Sequence, residues 1–275
     1  MSARDPSRRV VGVFDSGVGG LTVLRALHAA LPALDTAYLG DTARVPYGTR
    51  SADTVTRYAL QAARFLASRE PLGLFVIACN TASAVAVEAV QAALDVPVIG
   101  VITPTAERAA AASRAGRVGV LGTRGLVLSG AYQRALERAR PGLSVRAQPC
   151  PLFVPLAEEG WTAPDDPVVR GVVARYVEPL VAEGVDTLVL GCTHYPLLED
   201  AIRAAVGPEV TLVDAAASVL PAVRAVAERF ADGAGARASG APLRRYYVTD
   251  LPSGFRAVAE RFLGGALGEL IEADL

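Results

Sequence analysis

Two segments of this sequence follow one pattern, and that pattern limits the fold. Residues 74–81 read LFVIACNT and residues 187–194 read TLVLGCTH, so each places a cysteine after a continuous apolar run and a small residue. A short apolar run without alternation predicts a strand buried on both faces, as in a parallel sheet covered by helices. The polar residues behind each cysteine predict the opening of a helix. Both segments therefore indicate strands of parallel α/β sheets, with a thiol at the carboxyl end of each strand.

The position of the two thiols also indicates a function. Open α/β sheets bind ligands at the carboxyl ends of their strands. A lone cysteine that ends an apolar strand is usually a small buried hydrophobe. Packing does not, however, require the polar side chains that follow the two sulfurs, which are Asn80, Thr81, Thr193 and His194. We therefore predict that Cys79 and Cys192 act as a pair of bases on a polar ligand, each with a thiol pKa that helix-terminal amides lower by about one unit.

Apolar runs alternate with amphipathic segments along the rest of the chain, and this alternation predicts mainly parallel sheets. The predicted strands are residues 10–14, 36–39, 74–78, 96–102, 117–121, 143–147, 187–191, 210–213 and 246–248. The predicted helices are residues 21–31, 51–68, 81–94, 129–140, 167–183, 215–230 and 252–263, with one more that starts at residue 104 and a loop at 231–241. Each half of the chain holds one cysteine strand. We therefore predict two similar α/β domains with the active site at their interface.

Charge and composition narrow the class of protein. The net charge of −1 and a pI of about 6.2 do not indicate a nucleic-acid partner or an anionic membrane surface. No apolar run approaches the length of a bilayer span, and the first nine residues lack a signal-peptide core. Three cysteines, an odd number, suit a reducing compartment. These features predict a cytoplasmic protein.

The sequence contains no lysine. Pyridoxal phosphate is held through a lysine amine, so a Schiff base with that cofactor cannot form. A Walker-type phosphate loop is excluded for the same reason, because its signature ends in lysine followed by serine or threonine. We predict chemistry that uses no cofactor.

The turn after the first predicted strand leaves a nucleotide-binding interpretation open. Residues 15–20 read DSGVGG between a strand and a helix, and Asp41 after the second strand would suit a ribose. The match to a dinucleotide fingerprint fails where Thr22 replaces the third glycine. Asp15 is more informative, because a carboxylate at the end of a buried strand needs a cation, a hydrogen-bond donor or a ligand ammonium group.

Zinc is a second alternative, with Cys79, Cys192 and His194 as ligands. Cys192 and His194 are two positions apart, which gives a poor chelating geometry at the end of a strand, and no pair shows the usual spacing of structural zinc ligands. We predict no metal. Cys150 lies between two prolines and is predicted to be a packed thiol, and His28 is predicted to be structural or exposed.

Several motifs resemble the signature segments of the bacterial glutamate racemases, and they occur in order along nearly the whole chain. The most specific are VFDSGVGGL at 13–21, GDTARVPYG at 40–48, ACNTA at 78–82 and GCTHYPLL at 191–198. Further similar segments are PVIGV at 97–101, CPLFVPL at 150–156 and the C-terminal helix at 255–263. The resemblance implies cofactor-independent interconversion of L- and D-glutamate by a base on each face of the α-carbon, which supplies D-glutamate for peptidoglycan.

The resemblance also implies a domain division and a set of residue roles. One domain would comprise residues 1–101 plus 214–275 and the other residues 102–213, and the protein would form a homodimer. Cys79, assisted by Asp15, and Cys192, assisted by His194, would be catalytic. The substrate contacts would be Asp15, Ser16, Tyr47, Gly48, Asn80, Thr81, Thr193 and His194, and the supporting residues would be Asp41, Arg44 and Glu158.

Two other functions stay open at this point. An aspartate, hydantoin or related racemase of the same superfamily would share the paired thiols. A regulator that binds a nucleotide or metabolite without turnover would share the glycine turn. Addition of L-glutamate to cofactor-free protein would separate these alternatives.

Overall fold

The computed structural model of this chain describes residues 8–233 and 241–275. In that part of the chain, strands form one sheet of six and one of four. The strands are β1 Val10–Asp15, β2 Thr36–Gly40, β3 Leu72–Ile77, β4 Val98–Gly100, β5 Arg117–Gly122, β6 Ser144–Pro149, β7 Thr187–Gly191, β8 Thr211–Asp214, β9 Arg244–Val248 and β10 Leu270–Glu272.

Helices alternate with these strands. They are α1 Leu21–Ala30, α2 Ala52–Arg69, α3 Asn80–Ser83, α4 Val87–Ala93, α5 Ile102–Ala112, α6 Arg124–Ser129, α7 Ala131–Ala139, α8 Phe153–Glu159, α9 Pro167–Ala182, α10 Glu199–Val206, α11 Ala215–Gly233 and α12 Phe255–Leu263. Short 3-10 turns cover Thr42–Arg44, Tyr47–Thr49 and Tyr195–Leu198. Within the described residues, no helix has the length and apolar character needed to cross a membrane.

Both sheets are parallel, as predicted. The larger sheet has the order β10-β9-β2-β1-β3-β4 and the smaller sheet the order β6-β5-β7-β8. Each strand pair in the described chain runs parallel. β1 and β7 are central strands that are buried along their whole length, which explains their continuous apolar sequence. The fold class predicted from the sequence is confirmed.

Apolar side chains cover both faces of each sheet. In β1, Val11 and Val13 lie in one core while Val10 and Phe14 lie in the core on the other face. The smaller sheet is arranged in the same way. Helix α11, which follows the last strand of the smaller sheet, packs with Val219 against the core of α1 in the larger sheet. The chain thus crosses between the two sheets twice, after β4 and after β8.

Each described strand belongs to one of the two sheets. β1 to β4 and the C-terminal β9 and β10 belong to the larger sheet, and β5 to β8 belong to the smaller one. The division into residues 1–101 plus 214–275 and residues 102–213 stays a prediction. Most of the predicted loop at 231–241 lies outside the described residues, and α11 extends to Gly233.

Some predicted helices and strands differ from those observed. The helix predicted at 81–94 is two helices, α3 and α4. The region of the helix predicted at 129–140 holds α6 and α7, which meet at Gly130, and Gly130 has a φ of 64° that glycine adopts without strain. The predicted strand at 96–102 is shorter, and α5 starts at Ile102 rather than at Pro104.

Three elements have no counterpart among the predicted ranges, which are α8, α10 and β10. α8 lies in the proline-rich connection after β6, and β10 pairs with β9 at the edge of the larger sheet. In addition, Cys192 is followed by a 3-10 turn before α10, so only Cys79 directly precedes an α-helix, and that helix has a single turn of four residues.

Candidate active site

Asp15 ends β1 and is fully buried. The amide of Gly17 donates a hydrogen bond to Asp15 Oδ2 at 3.0 Å, and the hydroxyl of Tyr38 donates to the Gly17 carbonyl at 2.6 Å. Burial raises the pKa of the Asp15 carboxyl, and the positive charge of His194 opposes this effect. The glycine turn therefore holds a carboxylate at the carboxyl end of the larger sheet, where a cationic group would stabilise it.

Cys79 follows β3, the neighbour of β1, and is 6% exposed. Its Sγ donates to Ser16 Oγ at 3.4 Å. Burial, and next the charge of Asp15, raise the pKa of the thiol to about 12. The pKa lowering predicted from the sequence is therefore wrong for Cys79. The physical reason is that the hydrogen bonds with Ser16 and with the Ala82 backbone, which lower this pKa, are too weak to offset the desolvation of a thiolate.

Cys192 follows β7, the central strand of the smaller sheet, and is 8% exposed. Its Sγ lies 3.8 Å from His194 Nδ1, and His194 Nε2 lies 2.9 Å from Glu158 Oε1. Burial alone would lower the pKa of His194, but its hydrogen bonds with Cys192 and Glu158 outweigh burial and raise that pKa to about 10. A protonated imidazole next to Cys192 stabilises negative charge on that sulfur.

The ring of His194 has a third contact, from the C-terminal helix. The ring centroids of His194 and Phe262 of α12 are 4.9 Å apart in an edge-to-face arrangement. Arg261, the preceding residue of α12, donates to the Glu158 carbonyl oxygen at 2.6 Å. The larger sheet's final helix therefore contacts both members of the His194–Glu158 pair.

The segments behind the two strand ends touch each other. The hydroxyl of Thr22 donates to the Thr193 carbonyl at 3.0 Å, and the hydroxyl of Thr193 donates to Asp15 Oδ1 at 3.4 Å. A Cβ at Gly19 would lie 2.2 Å from Thr193 Oγ1 and 2.5 Å from His194 Nδ1. Glycine at this position lets the turn after β1 approach the Cys192 segment, so groups from both sheets line one buried site.

A second contact between the sheets comes from the loop at 40–48. The buried carboxylate of Asp41 accepts hydrogen bonds from the Arg44 guanidinium at 2.7 Å, from the Thr249 hydroxyl at 2.9 Å and from the Tyr47 hydroxyl. A Cβ at Gly48 would lie 2.8 Å from the Cβ of Thr123, which precedes α6. Asp41 therefore anchors the loop where it meets the smaller sheet.

Asn80 and Thr81 reach the smaller sheet with their side chains. Tyr132 of α7 donates its hydroxyl to Asn80 Oδ1 at 2.7 Å, and the hydroxyls of Thr81 and Thr123 are 3.0 Å apart. The Asn80 Nδ2 is buried and has no hydrogen-bond partner among the described residues. Two of its donor hydrogens are thus available to a ligand.

Two predicted structural residues lie outside this site. Cys150 is fully buried, donates its thiol to the Gln148 carbonyl at 3.3 Å, and has a pKa raised by burial, as expected for a packed thiol. His28 Nε2 is hydrogen-bonded to Thr36 Oγ1 at 2.9 Å, and the pKa of His28 is lowered to about 4 by burial and by the charge of Arg244. In residues 8–233 and 241–275, no group of three or more histidine, cysteine, aspartate or glutamate side chains could hold a metal ion.

The sequence analysis missed three contributors to the site, which are Gly19, Tyr132 and Phe262. Their roles depend on contacts between segments far apart in the chain, so no local pattern of apolar and polar residues could identify them. Gly19 carried a signal, since three glycines in a turn indicate a close backbone approach, but that signal does not name the residue approached.

Comparison with known proteins places this chain in a family. The Asp/Glu/Hydantoin racemase family profile matches residues 11–223. A glutamate racemase of Geobacter metallireducens is 53% identical over 268 residues, 97% of each chain. The crystal structure of a glutamate racemase from Francisella tularensis in complex with D-glutamate superposes with a TM-score of 0.87 at 36% identity over 98% of both chains. A Thermus thermophilus glutamate racemase, in complex with β-chloro-D-alanine, gives a TM-score of 0.85 at 42% identity over 99% of both chains. The chain therefore belongs to the Asp/Glu/hydantoin racemase family and, within it, to the glutamate racemases.

Proposed function

We propose that this chain interconverts L- and D-glutamate with Cys79 and Cys192 as bases on opposite faces of the α-carbon. One observation carries the proposal. Two buried thiols follow interior strands of two separate sheets, and each has an ionisable neighbour, Asp15 for Cys79 and His194 for Cys192. Thr193, the residue after Cys192, donates its hydroxyl to Asp15 Oδ1 at 3.4 Å, and this contact supports a single site for both thiols.

The resting protonation suits one direction of the reaction. The raised pKa of Cys79 keeps its proton on the sulfur, and His194 Nδ1 lies 3.8 Å from the Cys192 sulfur, where it can exchange a proton with it. In this state Cys192 removes the α-proton of L-glutamate and the Cys79 thiol donates its proton to the other face, which yields D-glutamate. The net result transfers one proton between the two sulfurs through the substrate.

The reverse direction requires a thiolate at Cys79. The negative charge of Asp15 raises the pKa of Cys79. The ammonium group of a bound amino acid would offset that negative charge and so lower the pKa of the thiol. Cys79 would then take the α-proton of D-glutamate, and the Cys192 thiol would return a proton to the opposite face. Substrate binding thus activates the thiol that the ligand-free protein keeps protonated.

A general base typically contributes about 10² to 10⁴ in rate, which is too little for an unactivated α-carbon. Preorganised donors at the developing enediolate must supply the rest. Asn80, Thr81 and Thr193 lie within one or two residues of the cysteines, are buried, and carry donors. We assign them to the carboxylate whose charge increases as the proton leaves.

The proposal extends to the biological setting implied by the resemblance. D-glutamate would enter peptidoglycan synthesis from the cytoplasm, and the protein would act without a cofactor and as a homodimer. Sedimentation at several protein concentrations measures the mass in solution and tests the homodimer.

The proposed reaction is tested by optical rotation. Cofactor-free protein is incubated with L-glutamate and, in parallel, with L-aspartate and a hydantoin. We expect the rotation of glutamate to decay to zero and the other two substrates to stay unchanged. Turnover of L-aspartate or the hydantoin in place of glutamate would assign the chain to another branch of the family, and no turnover of any substrate would contradict a racemase role for it.

Matched variants then assign the thiols. Cys79→Ser and Cys192→Ser should each lose at least about a hundredfold of the glutamate activity, because a hydroxyl is a far weaker base than a thiolate. Cys150→Ala removes the third thiol, which is buried outside the site, and should retain near-normal activity. A folded but inactive Cys150→Ala variant would show that the site is assigned to the wrong thiols.

Chelation tests the absence of a metal. Lysine is absent and the two thiols need no Lewis acid, so exhaustive chelation should leave the activity intact. Activity lost on chelation and restored by zinc would contradict the proposed chemistry.

A further inference from the structure

Asn80 is the only asparagine in the 275-residue sequence, and it is buried, with 3% of its surface exposed. The two ends of this amide have different surroundings. Oδ1 accepts the hydroxyl hydrogen bond of Tyr132 at 2.7 Å, whereas Nδ2 has no partner among the described residues. An unpaired buried amide nitrogen costs stability, so its retention indicates a ligand that accepts its hydrogens.

Tyr132 occupies a position that joins the two sheets. It lies in the first turn of α7, is 1% exposed, and packs within the core of the smaller sheet. A Cβ added to Gly191, the residue before Cys192, would lie 3.3 Å from the Tyr132 ring. Its hydroxyl reaches Asn80, the residue after Cys79. The tyrosine therefore spans from one cysteine segment to the other.

The hydroxyl of Tyr132 acts as a donor here. Burial raises the pKa of this phenol, and a hydrogen bond with Thr105 only partly opposes that effect, so the proton stays on the oxygen. A donor at Oδ1 fixes which way the amide is turned, since its oxygen faces Tyr132 and its NH2 group faces away. Without the hydroxyl, the amide could rotate by half a turn at little cost.

We propose that Tyr132 is a positioning residue for racemisation, which fixes the Asn80 amide so that its NH2 group donates to the α-carboxylate of the substrate as the enediolate forms. This inference rests on the proposed function. Tyr132 of α7 packs in the core of the smaller sheet, and Asn80 follows a strand of the larger sheet. The Asn80 amide is therefore held in this orientation only when the two sheets lie together as they do here.

The test is a double-mutant cycle on Tyr132→Phe and Asn80→Ala. Tyr132→Phe removes one oxygen atom and adds no volume. In the otherwise wild-type protein, kcat/KM for glutamate should fall about five- to tenfold, as expected for one lost hydrogen bond, with most of the change in kcat because charge on the carboxylate grows in the transition state. In the Asn80→Ala background, the same substitution should change kcat/KM by less than about twofold.

Tyr247→Phe is the matched control. The buried hydroxyl of Tyr247 donates to Glu70 Oε1 at 2.5 Å. Glu70 precedes β3, whereas Cys79 follows it. The Tyr247→Phe substitution should therefore lower thermal stability without changing kcat/KM in either background. Equal losses from Tyr132→Phe in both backgrounds, or no loss in the first, would overturn the inference. If the wild-type protein failed to racemise glutamate, the proposed function would fail before this comparison began.

A spectroscopic measurement keeps the inference testable even if Tyr132→Phe does not fold. Selective ¹³C,¹⁵N labelling of asparagine gives signals from Asn80 alone. In the wild-type protein, D-glutamate should shift the side-chain NH2 signals and leave the Cγ signal nearly unchanged, because Oδ1 stays bonded to Tyr132. A Cγ signal that moves while the NH2 signals do not would overturn the assignment of donor and acceptor.

Discussion

Cys79 and His194 are both buried, and their neighbours decide the net direction in which each pKa is shifted. Burial raises the pKa of the Cys79 thiol to about 12, with Asp15 adding to the effect. For His194, burial is outweighed by Cys192 and Glu158, which raise the imidazole pKa to about 10. Both groups therefore hold a proton at neutral pH. The site therefore holds a protonated thiol at Cys79 and a positively charged imidazole next to Cys192.

The charge of Asp15 should control the reactivity of Cys79. We predict that Asp15→Asn speeds alkylation of Cys79 by iodoacetamide at fixed pH while it lowers racemisation, because the carboxylate that raises the thiol pKa is removed. The gain should be about tenfold for each pKa unit that the lost charge accounts for. Mass spectrometry of the Cys79 peptide measures the rate, with the Cys150 peptide as an internal control. A slower reaction at Cys79 would contradict this account.

The two histidines should set opposite limits on stability with pH. The folded-state pKa of His194 is raised from 6.5 to about 10, so its contribution is complete below pH 6.5 and is lost as the pH rises toward 10. The pKa of His28 is lowered from 6.5 to about 4, so stability is lost as the pH falls from 6.5 toward 4. We predict that these two groups together favour a maximum of the thermal unfolding temperature near pH 6.5.

Variants separate the two limits. His28→Gln should flatten the acid side of the stability profile, and Glu158→Gln should make the alkaline loss smaller and end at a lower pH, because His194 loses a partner that raises its pKa. Unfolding temperatures between pH 4.5 and 9.5 give the profiles. Variant profiles that run parallel to the wild-type profile would show that neither histidine is coupled to folding in this way.

Among the elements, the glycine turn between β1 and α1 sets the spacing of the site. We predict that Gly19→Ala lowers racemisation at least about a hundredfold, because a Cβ 2.2 Å from Thr193 Oγ1 forces the turn away from the Cys192 segment. Gly171→Ala is the matched control. Gly171 lies within α9 with open space around its Cβ position, so alanine there should stabilise the protein by about 0.5–1 kcal/mol and leave activity unchanged. Similar activity in both variants would contradict the role given to the turn.

Local pattern predicted the elements that carry their own burial signal. β1, β3 and β7 are apolar runs between polar or small residues, and each was predicted within a few positions of its observed bounds. α8 was missed because Pro151 and Pro155 suggested a loop, although Pro155 lies in the first helical turn, where no amide hydrogen bond is lost. β10 has three residues and is stabilised by its pairing with β9, which the local sequence does not encode.

The same limit applies to the candidate site. Apart from Glu158 of α8, the residues that the resemblance named follow strand ends or lie in the loop at 40–48. The resemblance did not indicate Tyr132 or Phe262. These side chains act through contacts with Asn80 and His194 from helices far away in the chain. The direction of the Cys79 pKa shift was missed for a related reason, since desolvation depends on the whole fold around the sulfur.

For the whole molecule, the main feature is that each sheet supplies one thiol at the end of an interior strand. β3 of the larger sheet leads to Cys79, and β7 of the smaller sheet leads to Cys192. A proton can be removed from one face of a substrate and replaced on the other only if the two sheets hold their thiols on opposite sides of it. The arrangement of two sheets is therefore part of the proposed mechanism, and each thiol should have its own stereochemical preference.

The most direct test uses glutamate with a chloride at the β-carbon, in both configurations at the α-carbon. One proton removal expels chloride, and the resulting enamine hydrolyses to a 2-oxo acid and ammonia, so a single competent base is sufficient. We predict that Cys79→Ser releases chloride from the L analogue and not from the D analogue, and that Cys192→Ser does the reverse. Equal chloride release from both enantiomers by either variant would contradict two bases on opposite faces of the substrate.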